Sequence, residues 1–249
     1  MRGTIEDCTV EGMSWNGAGI ELLGGFEASY AGARIPLPVG ARHLLAFLAL
    51  HGDGVLRSTA AEQLWPDCTR CRAAANLRSA LCQGRRVGSV TAIENVGERL
   101  RLTPSTRVDL HRAWTKAQQV LSGHSVLSAG SDDFVNDFCG ELLPGWEEKW
   151  LLLERERWDQ TRLHALESLA QQLRSEEHYL SAIQTALAAI EIDPIRETAH
   201  RIVVEVHMAE GNVASALKSY QHYRAFLQRE LNVAPSPMMT RLVQNLMCT

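Results

Sequence analysis

The spacing of apolar residues changes along the chain, and each change marks an element. From Gly19 the run GIELLGGFEASYAGARIPL interrupts its apolar positions with glycines, which predicts short strands of a small antiparallel sheet that turns around Ala31, Gly32 and Ala33. Residues 39–51 follow a helical period instead, with Leu44, Phe47, Leu48 and His51 on one stripe and Gly52 and Gly54 as the stop. A second helix opens at Ser58 and Thr59, where Thr59 and Glu62 have the spacing of a capping box; Leu64 and Trp65 supply its core side and Pro66 closes it. After a short turn, residues 70–86 form a third helix. Helices in such close succession are the frame of a helix-turn-helix. The segment VTAIENVGERLRL then alternates on both sides of Asn95, Val96, Gly97 and Glu98, which predicts a hairpin directly behind the third helix and makes the helix-turn-helix a winged one.

Beyond residue 108 the pattern is helical almost throughout. A helix capped by Asp109 leads into the Ser/Gly/Asp-rich stretch 122–133, read as a linker, and helical periods follow over 147–174, 179–192, 195–210, 213–231 and from Pro237. Ala182 and Ala216, each in an apolar helix start (YLSAI and VASAL), are one tetratricopeptide period of about 34 residues apart. The expected fold is therefore mainly α: a leader over 1–18, an α+β winged helix over 19–107 and an all-α, tetratricopeptide-like domain over 108–249.

Charge sharpens this division. The formal net charge is −4, but residues 1–114 carry 13 Arg, no Lys and 11 acidic residues, and the remainder is net −6. Residues 70–107 hold 8 Arg against Glu94 and Glu98, the footprint of a phosphate-binding surface. If Leu77 and Leu81 face the core, with Ala73, Ala74, Ala80 and Gly84 beside them, the opposite stripe of the third helix carries Arg72, Asn76, Ser79, Gln83 and Arg86, flanked by Arg78 and Arg85. These side chains hydrogen-bond base edges or phosphates. Many surface helices have a polar outer face; the weight comes from its place on the third helix, ahead of a hairpin bearing Arg99 and Arg101.

Other chemistry finds little support. Cys68 and Cys71 form a single CxxC without the second ligand pair of a zinc site or the strand-to-helix setting of a redox motif. His200 and His207 stand two turns apart with no further ligands, and no phosphate-cradling or nucleophile-elbow motif occurs, so neither a catalytic group, a metal nor a cofactor is expected. The charged run 147–159 reads as an ion-paired helix face, and Trp146, Trp150 and Trp158 as a packing stripe. Apolar runs such as 44–50 are too short to span a bilayer, the start lacks a signal-peptide pattern, and the scattered cysteines suit reduced thiols; the expected location is the cytoplasm.

The runs GARHLLAFLALHGDGVLRSTAAEQLWPD, AAANLRSALCQGRR, GERLRL and RVDLHRA resemble the OmpR-like winged helix of the Streptomyces antibiotic regulatory protein (SARP) family, and FCGELLPGWEEKWLLLERERW and LQRELNVAPSP resemble the bacterial transcriptional activator domain that follows it. The resemblance spans about residues 19–246. It implies a pathway-specific activator, often of secondary-metabolite genes, that binds direct repeats of double-stranded DNA near a promoter −35 region as a homodimer and recruits RNA polymerase through its sigma, alpha or beta subunits. By position it makes residues 72–86 the recognition helix, Arg99 and Arg101 the wing arginines, and Arg42 a phosphate neighbour. Ser58 and Thr59 begin a helix whose amino end accepts a phosphate. Gly84 departs from the large aliphatic residue common there; it weakens the helix by about 1 kcal/mol relative to alanine and predicts an end or bend at that point. The alternative reading is a helical-repeat interaction or ligand-sensing regulator whose winged helix does not read DNA by itself.

Overall fold

Glycine and alanine break every apolar run near the start of the chain, so the elements there are short. The structure is a computed structural model and describes residues 17–123 and 131–247. The chain divides into two compact units, Met1–Leu110 and His111–Thr249. In chain order the first contains β1 (Ala18–Glu21), β2 (Glu27–Tyr30), β3 (Ala33–Arg34), α1 (Val39–Leu50), β4 (Val55–Leu56), α2 (Arg57–Leu64), α3 (Arg70–Gly84), β5 (Arg86–Val87), β6 (Val90–Thr91), β7 (Ile93–Val96), β8 (Arg99–Leu102) and β9 (Arg107–Val108).

The expected amino-terminal sheet is present in the order β3-β2-β1-β9. Ile20 of β1 is opposite Ala28 of β2 and both are buried. Ala31 and Gly32 join β2 to β3 with positive φ of 51° and 79°, the geometry of a tight hairpin turn. The pairing of β9 beside β1 is parallel, Ile20 opposite Val108, and a two-residue strand leaves no alternation for sequence reasoning to find. The Asp109 carboxylate closes this edge by accepting the N–H groups of Leu22 (2.9 Å), Leu23 (2.9 Å) and Leu110 (2.7 Å). One anion thus holds the end of β1 and opens α4 (Asp109–Leu121).

Helix α1 is the hub of the unit, buried continuously from Leu44 to Ala49 rather than along one stripe. His51 does not join that stripe: it caps the helix, its Nδ1 donating to the Phe47 carbonyl at 2.7 Å. Helix α2 corrects the capping-box expectation. Val55 and Leu56 pair with Leu100 and Arg99 of β8, which holds Leu56 extended as the residue before the helix; Ser58 and Thr59 are then already inside the first turn and no side-chain cap forms. Its buried residues are Ala60 and Ala61, with Leu64 and Trp65 only half-buried.

The second unit continues from α4 with α5 (Ser131–Cys139), α6 (Lys149–Ser175), α7 (Tyr179–Ile192), α8 (Glu197–Ala209), α9 (Val213–Glu230) and α10 (Pro237–Met247). Neighbouring helices from α6 to α10 pack in sequence. The repeat suggested by Ala182 and Ala216 is present in the backbone. Both alanines are fully buried, and the turns ahead of them match: Glu177 and Gly211 have φ of 63° and 77°, and His178 and Asn212 donate to Leu173 and His207 carbonyls at 2.9 and 2.8 Å. Glycine suits that left-handed position, whereas Glu177 adopts it at a cost.

The expected linker 122–133 lies inside this unit: α4 runs to Leu121, Ser131 opens α5, and residues 124–130 lie outside those described. Phe134 and Phe138, one turn apart and both buried, hold α5 in the core. The charged run around 147–159 is only partly an ion-paired surface. Arg157 pairs with Glu154 at 2.7 Å, but Arg155 turns inward to donate to the carbonyls of Leu142, Leu143 and Trp146 at 2.6–3.0 Å, clamping the loop ahead of α6. Trp158 is fully buried and donates to the Gly140 carbonyl at 2.9 Å; Trp146 precedes the helix and packs edge-on against Trp150.

Two expectations follow. Hydrogen bonds to a charged acceptor contribute about 1.5–3 kcal/mol, so Asp109→Ala should lower the stability of the first unit by about 2 kcal/mol or more, and Asp109→Asn by less, in urea titrations. In the second unit the His200 ring stacks on Tyr223 at 4.1 Å, and burial pushes its pKa below 6.5 although the Pro194 carbonyl and Glu197 pull the other way. The unfolded chain therefore binds this proton more readily than the folded one. The stability His200 contributes is complete above about pH 6.5 and declines as the pH falls through the folded value; denaturation midpoints on either side should show this, and His200→Phe should flatten the dependence.

Candidate nucleic-acid interface

Helix α3 presents one narrow buried line, Ala73, Leu77, Ala80 and Gly84, toward α1 and α2, with Ala80 and Gly84 against α1. Small residues make that approach possible. A Cβ on Gly84 would be 3.1 Å from the Ala41 Cβ, and one on Gly40 would be 3.7 Å from the Ala80 Cβ. Gly84 therefore serves close helix packing, and the helix does end there as its low propensity suggests. The Arg85 carbonyl accepts the N–H groups of Ala92 (2.8 Å) and Ile93 (3.3 Å) instead of a further helical partner.

This ending removes one expected residue from the helix. Arg86 belongs to β5, opposite Thr91 in a two-stranded hairpin, and its guanidinium donates to the Ser89 carbonyl at 3.3 Å. Arg72, Ser79 and Gln83 are exposed as expected, and so are Arg70, Arg78 and Arg85. Leu81 is half-buried rather than part of the core line, so the outward line runs through Cys71, Ala75, Arg78 and Cys82. Asn76 is rotated away from it, half-buried with its amide directed at Cys68 Sγ, 3.9 Å away.

The wing is the β7–β8 hairpin, with Glu94 opposite Arg101 and Val96 opposite Arg99. Gly97 adopts φ of 61° at its tip, which glycine takes without strain. Leu100 anchors it in the core. Its two arginines differ in engagement. Arg101 pairs with Glu94 at 2.6 Å, whereas exposed Arg99 donates to the Gly54 carbonyl at 2.9 Å. Arg57, the first residue of α2, donates to Asn95 Oδ1 at 2.8 Å and so ties the wing to the start of that helix. Ser58 and Thr59 are exposed in the same turn, and Arg42 is half-buried with its Nε lacking a hydrogen-bond partner among the described residues.

Arg57, Ser58, Arg70 and Arg78 line one concavity of about 390 Å³ between α2 and α3. Arg70 stands 3.4 Å from Glu62, while the guanidinium groups of Arg72, Arg78 and Arg85 make no ion pair or hydrogen bond among the described residues. Sequence reasoning passed over Arg57 and Arg70. Arg57 was hidden because the helix begins earlier than its apparent cap, and Arg70 sits two residues ahead of Arg72, the first of the residues assigned to the stripe. Cys68, Cys71 and Cys82 are free thiols, and among the described residues no cluster of three His, Cys, Asp or Glu side chains is placed to hold a metal ion.

Residues 108–247 match the family model of the bacterial transcriptional activator domain, more than half of the chain. The chain belongs to that family. A winged helix ahead of the activator domain gives it the architecture of a SARP-type transcriptional regulator. The fold is similar to that of Mycobacterium tuberculosis EmbR, solved in complex with a low-affinity phosphopeptide, with a TM-score of 0.73 at 15% sequence identity over 93% of this chain. That match spans 65% of the EmbR chain, less than two thirds of its length. No curated protein matches the sequence.

In this regulator the α1–α3 contact sets the presentation of the arginine face, which gives a direct test. Gly84→Leu should place a branched side chain against Ala41 and destabilise the first unit by about 1–3 kcal/mol, the usual cost of overpacking, despite its better helix propensity. Urea titration would check this; a gain in stability would mean that α1 and α3 are not in close contact.

Proposed function

We propose that the amino-terminal unit of this regulator binds double-stranded promoter DNA, laying α3 in the major groove and the β7–β8 wing along the adjoining backbone. The observation that supports this best is that Arg72 and Arg78 on α3, and Arg85 immediately after its end, are exposed with guanidinium groups that have no partner among the described residues. Such guanidinium groups are available for phosphates and guanine edges at no cost in broken ion pairs. Arg72, Ser79 and Gln83 face bases. Arg42, Arg57, Ser58, Thr59, Arg70, Arg78 and Arg99 hold the backbone. Arg101 contributes less, because its ion pair with Glu94 competes with phosphate.

The rest of the reading follows the family. The protein acts as a homodimer on direct repeats and recruits RNA polymerase holoenzyme through its sigma, alpha or beta subunits, activating a secondary-metabolite gene cluster. Among the described residues no helix is long and apolar enough to cross a membrane, which accords with work at the chromosome in the cytoplasm.

Anisotropy titrations with duplexes from upstream of the neighbouring genes test the assignment. Arg78→Ala and Arg99→Ala should each weaken binding to every duplex and reduce the slope of log K against log salt by about 1. Gln83→Ala should instead change the ranking among duplexes. A wild-type chain that binds no duplex selectively at physiological salt would replace this reading with that of a winged helix adapted to bind protein.

A further inference from the structure

The concavity between α2 and α3 is more than a place for phosphate. Its floor is apolar: Ala61 of α2 and Ala73, Ala74 and Leu77 of α3, side chains mostly too small to fill the space between two helices. Its rim is cationic. Of its guanidinium groups, Arg70 is offset by Glu62, Arg57 is bound only to a neutral amide, and Arg78 has no partner among the described residues. A DNA backbone can use the rim but has nothing to place on the floor. A volume of about 390 Å³ lies within the range of small-molecule sites, roughly 300–1,000 Å³, and is short for a docked helix, which needs anchors over two turns.

We propose that this groove is a binding site for a small anionic amphiphile, an organic acid whose apolar body covers the alanine floor while its acid group reaches Arg78 and Arg57, and that its occupation excludes DNA. The exclusion rests on the DNA-binding reading above, since Arg57, Ser58 and Arg78 would serve both ligands. Because coupling is reciprocal, the acid weakens DNA binding by the same factor by which DNA weakens the acid.

The test uses the full chain and the fluorescent dye anilinonaphthalene sulfonate, which combines an aromatic body with one anion. Wild type should bind the dye saturably. Arg78→Ala should weaken it at least about tenfold, the usual worth of a charge-assisted hydrogen bond. Ala74→Phe, which fills the groove without altering charge, should do likewise. N-phenylnaphthylamine, the same body without the sulfonate, should bind at least about tenfold more weakly, and decanoate should displace the dye. Equal dye affinity in both variants, or equal affinity for the uncharged analogue, would overturn the site. So would displacement by a short amphipathic Leu/Glu peptide but not by decanoate, which would assign the groove to a protein segment. Arg78 is exposed, so its variant reports even if Ala74→Phe fails to fold. In a separate arm, duplex DNA and dye should displace one another; simultaneous binding would overturn the exclusion. If the dye-free protein binds no duplex, the DNA reading fails while the dye titration still decides the site.

Discussion

The organisation of the first unit depends on how closely two helix backbones approach. Helix α1 is enclosed on nearly every side, so α3 can be seated firmly only by coming within van der Waals contact of its main chain, and Gly40, Ala41, Ala80 and Gly84 allow that approach. Interiors this dense tolerate little added volume. The seam also fixes the rotation of α3: once Ala73, Leu77, Ala80 and Gly84 face inward, the opposite side of the helix is determined, and with it the arginines that meet solvent. A single packing choice therefore orients the chemistry.

Much of the fold was legible because it rests on periodicity. The positions of α1, α3, the wing hairpin and the long carboxy-terminal helices all follow from apolar spacing, and α7 begins and ends where its pattern does. What escaped was either too short or too polar. Strands β4, β5, β6 and β9 have two residues each, too few to show an alternation, and β4 and β9 are strands only through pairing with a distant partner. The start of α5 reads as linker because Ser131, Asp132 and Asp133 lead it, and the two phenylalanines that carry its burial lie beyond that stretch. The early start of α2 has the same origin, since the β4–β8 pairing overrides a local capping preference.

The candidate site was legible as a concentration of arginine and less so as an arrangement. Sequence charge cannot tell that Arg101 sits across the ladder from Glu94 while Arg99, two residues earlier, stays exposed. Nor can helical spacing foresee the small rotation that takes Asn76 toward Cys68 and brings Arg78 outward, because that rotation comes from the choice of Gly84 over Leu81 as the core line. Arg86 was lost to the helix through a hydrogen bond made by its neighbour's carbonyl, a tertiary event with no local signature.

The parallel pairing of β1 with β9 has a mechanical side. These strands are the first and last of the unit, and because they run the same way, a load applied at Ala18 and at Asp109 pulls them past each other along their length. Their cross-strand bonds, together with the Asp109 carboxylate gripping Leu22 and Leu23, then have to yield at once rather than one after another. The unit is thus built to resist tugging transmitted along the polypeptide.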